Sequence, residues 1–126
     1  MTVVARFADS VEGRAALAWA VTECEVRKAD LLVLAADGAA AVDEHLTSAR
    51  TSLGDARVEV RRTRDEDALE AELVDLSYEE TTELLVIGVR RRSPVGKLLL
   101  GSSSQRLLLD ASCPVVAVKP PVAPSA

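Results

Sequence analysis

Aromatic residues, cysteine and histidine are all scarce in this sequence of 126 residues. It has one Phe, one Trp, one Tyr, two Cys and one His. With so few aromatic side chains, the core must be built from Leu, Val and Ala, which suits helices packed on a sheet better than an all-β sandwich. Cys24 and Cys113 have no metal or redox spacing, which predicts two free, buried thiols. No second histidine accompanies His45, which we predict to be a surface residue.

An excess of basic charge is also absent. The net charge is −5 and the pI is about 4.9, which argues against nucleic-acid binding, because that function needs an extended basic face. No apolar run is long enough to span a membrane and no signal peptide is evident, so we predict a cytoplasmic protein without a membrane partner. The one dense basic cluster, Arg90-Arg91-Arg92 with Lys97 nearby, is small enough to serve one phosphorylated small molecule.

Apolar strand-like segments alternate with helix-like segments along the chain. This alternation predicts one α/β domain over residues 1–119, followed by a flexible tail over residues 120–126. We expect a three-layer, doubly wound, five-stranded parallel sheet with the flavodoxin-like order 3-2-1-4-5. The predicted strands are Val3–Phe7, Leu31–Ala35, Val58–Arg61, Leu84–Ile87 and Val115–Val118. The predicted helices are Val11–Ala29, Asp43–Leu53, one that begins at Asp65-Glu66-Asp67, and Ser102–Ala111.

A glycine-containing basic loop follows the fourth strand and leads into the last helix. Gly88 ends the strand, and Gly101 comes directly before Ser102 at the predicted helix start. Glycine lets an anion approach the backbone closely, and the first N–H groups of a helix are unpaired and partly positive. The loop therefore predicts a phosphate site, held by the Ser102 hydroxyl and by the N–H groups of Ser102, Ser103 and Ser104. A purely structural role for both glycines remains an equal alternative.

The chain resembles the universal stress protein family over nearly its whole length, from Val3 to Lys119. The likeness is most specific in Arg91-Arg92-Ser93-Pro94-Val95-Gly96-Lys97-Leu98-Leu99-Leu100-Gly101-Ser102 and in Cys113-Pro114-Val115. The resemblance implies a fold of the adenine nucleotide alpha hydrolase type, a dimer through the last strand and a role in the cellular stress response. One branch of the family binds ATP, with Mg²⁺, through the motif Gly-x2-Gly-x9-Gly-Ser/Thr.

The ATP motif of that branch is only partly present here. Gly88, Gly101 and Ser102 match it, but Arg91 stands at the middle glycine position, where it would either block the phosphates or neutralise them. Ala8 stands where the branch has an adenine-binding aspartate, and Asp9 is one residue late. By the same resemblance, Ala36 would meet adenine through its backbone, Ile87 and Gly88 would lie along the ribose and base, and Arg91 or Lys97 would supply charge.

Two functions remain open at this point. The first is a dimeric stress-response regulator that binds ATP or a related adenine nucleotide. The second is a family member without a nucleotide that acts through protein partners not yet identified. Enzymatic activity would be at most slow ATP hydrolysis, because Asp9 is the lone carboxylate near the loop and no general base is evident.

The last predicted strand indicates self-association. It would lie at an edge of the sheet with four apolar residues and no charge, and such an edge aggregates unless another chain covers it. We therefore predict a homodimer through Val115, Val116, Ala117 and Val118. Trp19 lies off the apolar stripe of the first helix, and we predict that it packs against a neighbouring element or a partner subunit.

Overall fold

The computed structural model describes residues 1–36, 42–91, 98–99 and 101–121; of residues 91, 98 and 99 it describes the backbone alone. The strands are β1 (Thr2–Phe7), β2 (Asp30–Ala36), β3 (Val58–Thr63), β4 (Thr82–Gly88), β5 (Arg90–Arg91), β6 (Leu98–Leu99) and β7 (Val115–Val118). The helices are α1 (Val11–Arg27), α2 (Val42–Leu53), α3 (Glu66–Ser77) and α4 (Ser102–Asp110), with a 3-10 turn at Asp55–Arg57.

The main sheet confirms the predicted architecture. Its five described strands run parallel in the order β3-β2-β1-β4-β7, which is the predicted order 3-2-1-4-5 with β7 as the fifth strand. The central strand β1 pairs with β2 from Thr2↔Asp30 to Phe7↔Ala35. It pairs with β4 on its other side. The carboxyl ends of β1 and β4 therefore lie side by side, where a doubly wound sheet binds its ligands.

Alternation along the strands divides the core into two clusters, one on each face of the sheet. Val3, Ala5 and Phe7 pack with the buried residues of α1 and α2. Val4, Leu85 and Ile87 face the other way and pack with the buried residues of α3 and α4. Because successive side chains of a strand point to opposite faces, each buried strand needs apolar residues at nearly every position. That requirement explains the nearly continuous apolar runs in the sequence.

Side-chain caps fix the starts of two helices. The Ser10 hydroxyl accepts a hydrogen bond from the Gly13 N–H at 3.1 Å and begins α1. The Asp65 carboxylate accepts one from the Ala68 N–H at 2.8 Å and begins α3. Each bond satisfies an N–H group that has no partner within its helix, which is why serine and aspartate are favoured at this position.

Several details differ from the sequence-based expectation. Helix α1 ends at Arg27 rather than Ala29, because Lys28 adopts the left-handed conformation with φ 56° and its N–H bonds back to the Cys24 carbonyl. Two short strands within the glycine loop, β5 and β6, each of two residues, pair antiparallel, and this pairing was not predicted. Trp19 is partly buried and packs on the α1–α2 side of the core.

The two cysteines are free, as predicted, but they differ in exposure. Cys24 is buried, whereas Cys113 is half-buried. Burial raises the pKa of the Cys24 thiol to about 11, so this thiol stays protonated at neutral pH. Of the predicted tail, the structure describes Pro120, which is buried, and Pro121, which is exposed.

Candidate functional site

A pocket of about 320 Å³ opens at the carboxyl edge of the sheet, between the ends of β1 and β4. The amino-terminal ends of α1, α3 and α4 converge on it. Its lining consists of Arg6, Phe7 and Ala8 at the end of β1; Ser10, Glu12 and Gly13 at the start of α1; Glu66 in α3; Gly88 and Arg90; and Gly101, Ser103 and Ser104 at the start of α4. The volume lies at the lower end of the usual range for small-molecule sites.

The two glycines of the predicted phosphate loop lie in different surroundings. A Cβ atom on Gly88 would overlap the backbone carbonyl of Glu12, so the close packing of α1 on β4 requires glycine there. A Cβ atom on Gly101 would meet no described atom within 4 Å. Gly101 has φ −62° and ψ 161°, a conformation open to any residue. Packing therefore explains Gly88, whereas the described fold does not require glycine at position 101.

Gly101, and not Ser102, is the N-cap residue of α4. It provides no side-chain cap, and the first turn of α4 contains no acidic residue. Each of the other three described α-helices has an acidic residue in its first turn. The positive end of α4 therefore lacks the negative charge that commonly stabilises a helix start.

A guanidinium group lies at this same helix end. Arg6 donates hydrogen bonds to the Ser104 hydroxyl at 3.1 Å and to the Ser103 hydroxyl at 3.5 Å. Burial lowers the pKa of Arg6, and the negative charges of Glu66 and Glu70 oppose that effect. Arg6 forms an ion pair with none of the described carboxylates. The start of α4 and Arg6 together make this side of the pocket strongly electropositive.

The pocket lining also contains two carboxylates that the sequence reading missed. Glu12 lies in the first turn of α1, and its Oε1 is 3.6 Å from Nε of Arg90. Glu66 lies in the first turn of α3. The expectation that Asp9 is the lone nearby carboxylate is therefore wrong, because helix starts that are far apart in sequence meet at one edge of the sheet. Glu12 and Glu66 can accept hydrogen bonds from hydroxyl or amino groups of a ligand.

Asp9 is directed away from the pocket lining. Its carboxylate forms an ion pair with Arg14 at 2.8 Å, and its Oδ1 is 3.8 Å from Nε2 of His45. His45 is half-buried, and the centre of its ring is 5.6 Å from that of Phe7. His45 thus interacts with Asp9 and Phe7 instead of standing isolated on the surface.

Only some of the residues predicted for the nucleotide site line this pocket. The lining includes Gly88, Gly101, Ser103 and Ser104, but not Ser102. Ile87 is fully buried in the core cluster on the α3–α4 side, and Ala36 is buried at the end of β2. The side chain of Arg91 and all of Lys97 lie outside the described residues. The structure therefore brings four of the predicted residues together with Arg6, Glu12, Glu66 and Arg90.

The predicted dimer strand lies at the edge of the main sheet. In β7, Val115, Val116 and Val118 are half-buried and Ala117 is exposed. Its one described neighbour is β4, so its outer side carries backbone groups that bond to no described strand.

Arg6 is the most informative of the pocket residues that the sequence reading missed. A signal for it was present, since a charged residue within a central parallel strand interrupts an otherwise apolar pattern. Glu12 and Glu66 gave no comparable signal, because acidic residues are ordinary in the first turn of a helix.

The described residues contain neither a metal-binding cluster nor a membrane-spanning helix. No three His, Cys, Asp or Glu side chains there lie close enough together to hold a metal ion. Nor does any helix in the described ranges have the length and apolarity needed to cross a membrane.

Comparison with known proteins shows one consistent family. The sequence model of the universal stress protein family matches residues 1–119. A universal stress protein of Mycolicibacterium smegmatis is 44% identical over 129 aligned residues, covering 95% of this chain and 98% of that protein.

Solved structures agree with the sequence comparison. The universal stress protein of Archaeoglobus fulgidus has a TM-score of 0.66 at 27% identity, with 94% of this chain and 97% of that chain covered. A universal stress protein described as a complex with cAMP has a TM-score of 0.65 at 24% identity, with 96% of this chain and 98% of that chain covered. The fold, the family match and the close relative lead to one conclusion: this chain belongs to the universal stress protein family.

Proposed function

We propose that this chain is a homodimeric, cytoplasmic stress-response regulator that binds ATP or a related adenine nucleotide in the pocket between β1 and β4. The phosphate would lie at the first turn of α4, beside Gly101, Ser103 and Ser104. The ribose and base would extend toward the carboxylates of Glu12 and Glu66.

The observation that carries this proposal is the open space at Gly101. Neither φ nor packing against described residues requires glycine there, and the adjoining helix start has no acidic residue and no side-chain cap. A phosphate group is well suited to such a place, because it accepts hydrogen bonds from the first N–H groups of the helix and compensates their positive charge. A side chain at position 101 would compete for that space.

Family membership supports the choice of an adenine nucleotide. One universal stress protein structure is described as a complex with cAMP. At 24% identity its likeness to this chain concerns the fold, so the argument for a nucleotide here depends on this chain's own pocket. Carboxylates such as Glu12 and Glu66 can accept hydrogen bonds from ribose hydroxyl groups, as acidic residues do in other nucleotide sites.

Magnesium would accompany ATP rather than bind by itself. Mg²⁺ is usually held by one or two carboxylates together with the phosphates of its nucleotide. Glu12 and Glu66 could supply such carboxylates from the pocket lining. Because Glu12 and Glu66 line the pocket, a lack of carboxylates no longer argues against ATP hydrolysis. The proposal here is a regulator or carrier of the nucleotide.

Filling the space at Gly101 is expected to abolish nucleotide binding without unfolding the protein. Isothermal titration calorimetry with ATP, AMP and cAMP, each with and without Mg²⁺, measures binding to the wild-type chain. Gly101→Leu should weaken the affinity at least tenfold, whereas the smaller Gly101→Ala should weaken it less. Both variants should keep the wild-type unfolding midpoint to within a few degrees. The absence of binding heat for all three nucleotides would contradict the proposed function.

A second candidate function, action through protein partners without a nucleotide, is favoured by the region around Asp9. Ala8 has no carboxylate to offer, and Asp9 is paired with Arg14. Native mass spectrometry of the purified protein separates the two functions. A retained ligand with the mass of an adenine nucleotide supports the first, and a ligand-free chain that is also silent in calorimetry supports the second.

The proposed homodimer would form by pairing of two β7 strands. The Pro114 carbonyl accepts a hydrogen bond from the Leu85 N–H at 3.0 Å, and the Val118 carbonyl accepts one from the Val89 N–H at 2.9 Å. Because backbone groups alternate sides along a strand, those of Val115 and Ala117 point to the free edge. A second copy of this apolar edge is a suitable partner for them.

Removing one outward N–H group should prevent this pairing. Ala117→Pro deletes a donor at the free edge and keeps the hydrogen bonds to β4. Light scattering after gel filtration should give twice 13.4 kDa for the wild type and 13.4 kDa for Ala117→Pro. Ala117→Thr retains the N–H group and should remain dimeric. A monomeric wild type would contradict the proposed dimer.

A further inference from the structure

Arg6 occupies an unusual place for a charged residue. It lies in the central strand β1, opposite Leu34 of β2 in the pairing register. Alternation places it on the same face of the sheet as Val4, whose neighbours are the apolar core residues of α3 and α4. Arg6 itself is half-buried and lines the pocket, so its guanidinium has lost part of its contact with water and is stabilised by an anion within reach.

The described surroundings compensate the charge of Arg6 only in part. Its hydrogen-bond acceptors are two neutral hydroxyls, those of Ser103 and Ser104. Its pKa is lowered by burial, which is the larger effect, while Glu66 and Glu70 act in the opposite direction. The other arginine in the pocket lining, Arg90, differs from Arg6 in exposure and in its partner. Its side chain is 70% exposed, and it has a carboxylate partner in Glu12.

The helix start next to Arg6 adds further positive charge to this side of the pocket. The amino-terminal end of a helix is partly positive, so a cation beside it is disfavoured and an anion is favoured. The first turn of α4 has no acidic residue, and its N-cap is Gly101. A fixed cation and a helix start of the same sign therefore face one pocket, and a bound anion would neutralise both.

We propose that Arg6 is the specificity-determining residue for the phosphate group of the bound nucleotide. This inference rests on the proposed function, and it adds a phosphate ligand that the glycine motif does not contain. The planar guanidinium donates to the phosphate oxygens, and the hydroxyls of Ser103 and Ser104 hold it in position. In the empty protein Arg6 is a source of instability, so ligand binding and folding are coupled at this residue.

The test compares Arg6→Met, which keeps an unbranched, flexible side chain and removes its charge, with the wild type. Calorimetry with AMP and ATP measures affinity, and thermal unfolding with and without inorganic phosphate or AMP measures coupling. We expect the affinity of Arg6→Met for AMP to fall at least tenfold. We also expect its unfolding midpoint without ligand to be equal to or higher than that of the wild type, because an uncharged side chain replaces a half-buried cation beside the partly positive start of α4.

Two further variants make the result specific. Arg6→Lys keeps the charge but loses the planar fork, so its affinity should fall between those of the wild type and Arg6→Met. Arg61→Met is the control, because Arg61 is a strand arginine paired with Glu59 and Glu72, and it is not among the residues that line the pocket. Its nucleotide affinity should equal that of the wild type.

Each outcome has a definite meaning. Equal nucleotide affinity in the wild type and Arg6→Met would overturn the role of Arg6 and leave the proposed function standing. Tighter binding by Arg6→Met would also overturn it, since the arginine would then be filling the site. Loss of folding in Arg6→Met would contradict the predicted stability and assign Arg6 a structural role. Stabilisation of the wild type by phosphate alone, lost in Arg6→Met, would support Arg6 as an anion ligand even if no nucleotide binds.

Discussion

Gly88→Ala is expected to lower the free energy of unfolding by about 3 kcal/mol, the upper end of the usual cost of overpacking. The added Cβ would overlap the backbone carbonyl of Glu12, and backbone in the first turn of α1 cannot rotate away as a flexible side chain could. Helix α1 would have to move off β4, which would open the core on that side. Urea denaturation followed by circular dichroism measures the loss.

The matched control for Gly88→Ala is Gly101→Ala in the same loop. A Cβ on Gly101 meets no described atom within 4 Å, and its φ of −62° suits alanine. This change should leave stability unaltered or raise it by about 0.5 kcal/mol, because alanine restricts the unfolded chain. Equal losses in the two variants would show that the steric difference between the glycines is not what determines their effects.

Ile87→Ala should be the second strongly destabilising change, with an expected loss of about 3 kcal/mol in unfolding free energy. Ile87 is fully buried among apolar residues on the α3–α4 side of the sheet, so truncation removes apolar contacts and leaves a cavity. Because small domains are stable by about 5–15 kcal/mol, this loss is a large fraction of the total. Denaturant titration provides the measurement.

A conservative variant tests whether Ile87 also contacts the ligand. Ile87→Val should lose about 1 kcal/mol of stability and keep the wild-type nucleotide affinity, because a side chain buried in the core does not reach the pocket. The family resemblance placed Ile87 along the ribose and base. A clear fall in the affinity of folded Ile87→Val for AMP would support that placement and contradict the present one.

The fold could be read from the sequence because its signals are local. Four apolar runs and one strand of alternating valine and charged residues, Val58–Arg61, are separated by helical patterns, and Ser10 and Asp65 are ordinary capping residues. The family match was anticipated for the same reason, since the glycine loop is contiguous in sequence. The strand order 3-2-1-4-5 was instead taken from the flavodoxin-like arrangement and is what the family resemblance implies. Errors were confined to element ends and to the short hairpin β5–β6, where two or three residues decide the outcome.

The site could be read only in part. Gly88, Gly101, Ser103 and Ser104 belong to one contiguous segment, from the end of β4 to the first turn of α4, and were found together. Arg6, Glu12 and Glu66 come from three distant segments, and no spacing rule links them. Asp9 was a candidate because it follows the first strand, but its ion pair with Arg14 holds it outside the pocket lining.

The sequence by itself determined the class of fold, the family and the position of the phosphate loop, because each depends on patterns within a few neighbouring residues. Only the tertiary structure decided which charges meet at the end of the sheet and why each glycine is there. Three helix starts converge on the carboxyl ends of β1 and β4, and that convergence places the Arg6 guanidinium at the uncapped start of α4. It also presses α1 against Gly88 and leaves Gly101 open, so two glycines that look alike in the sequence have different physical roles.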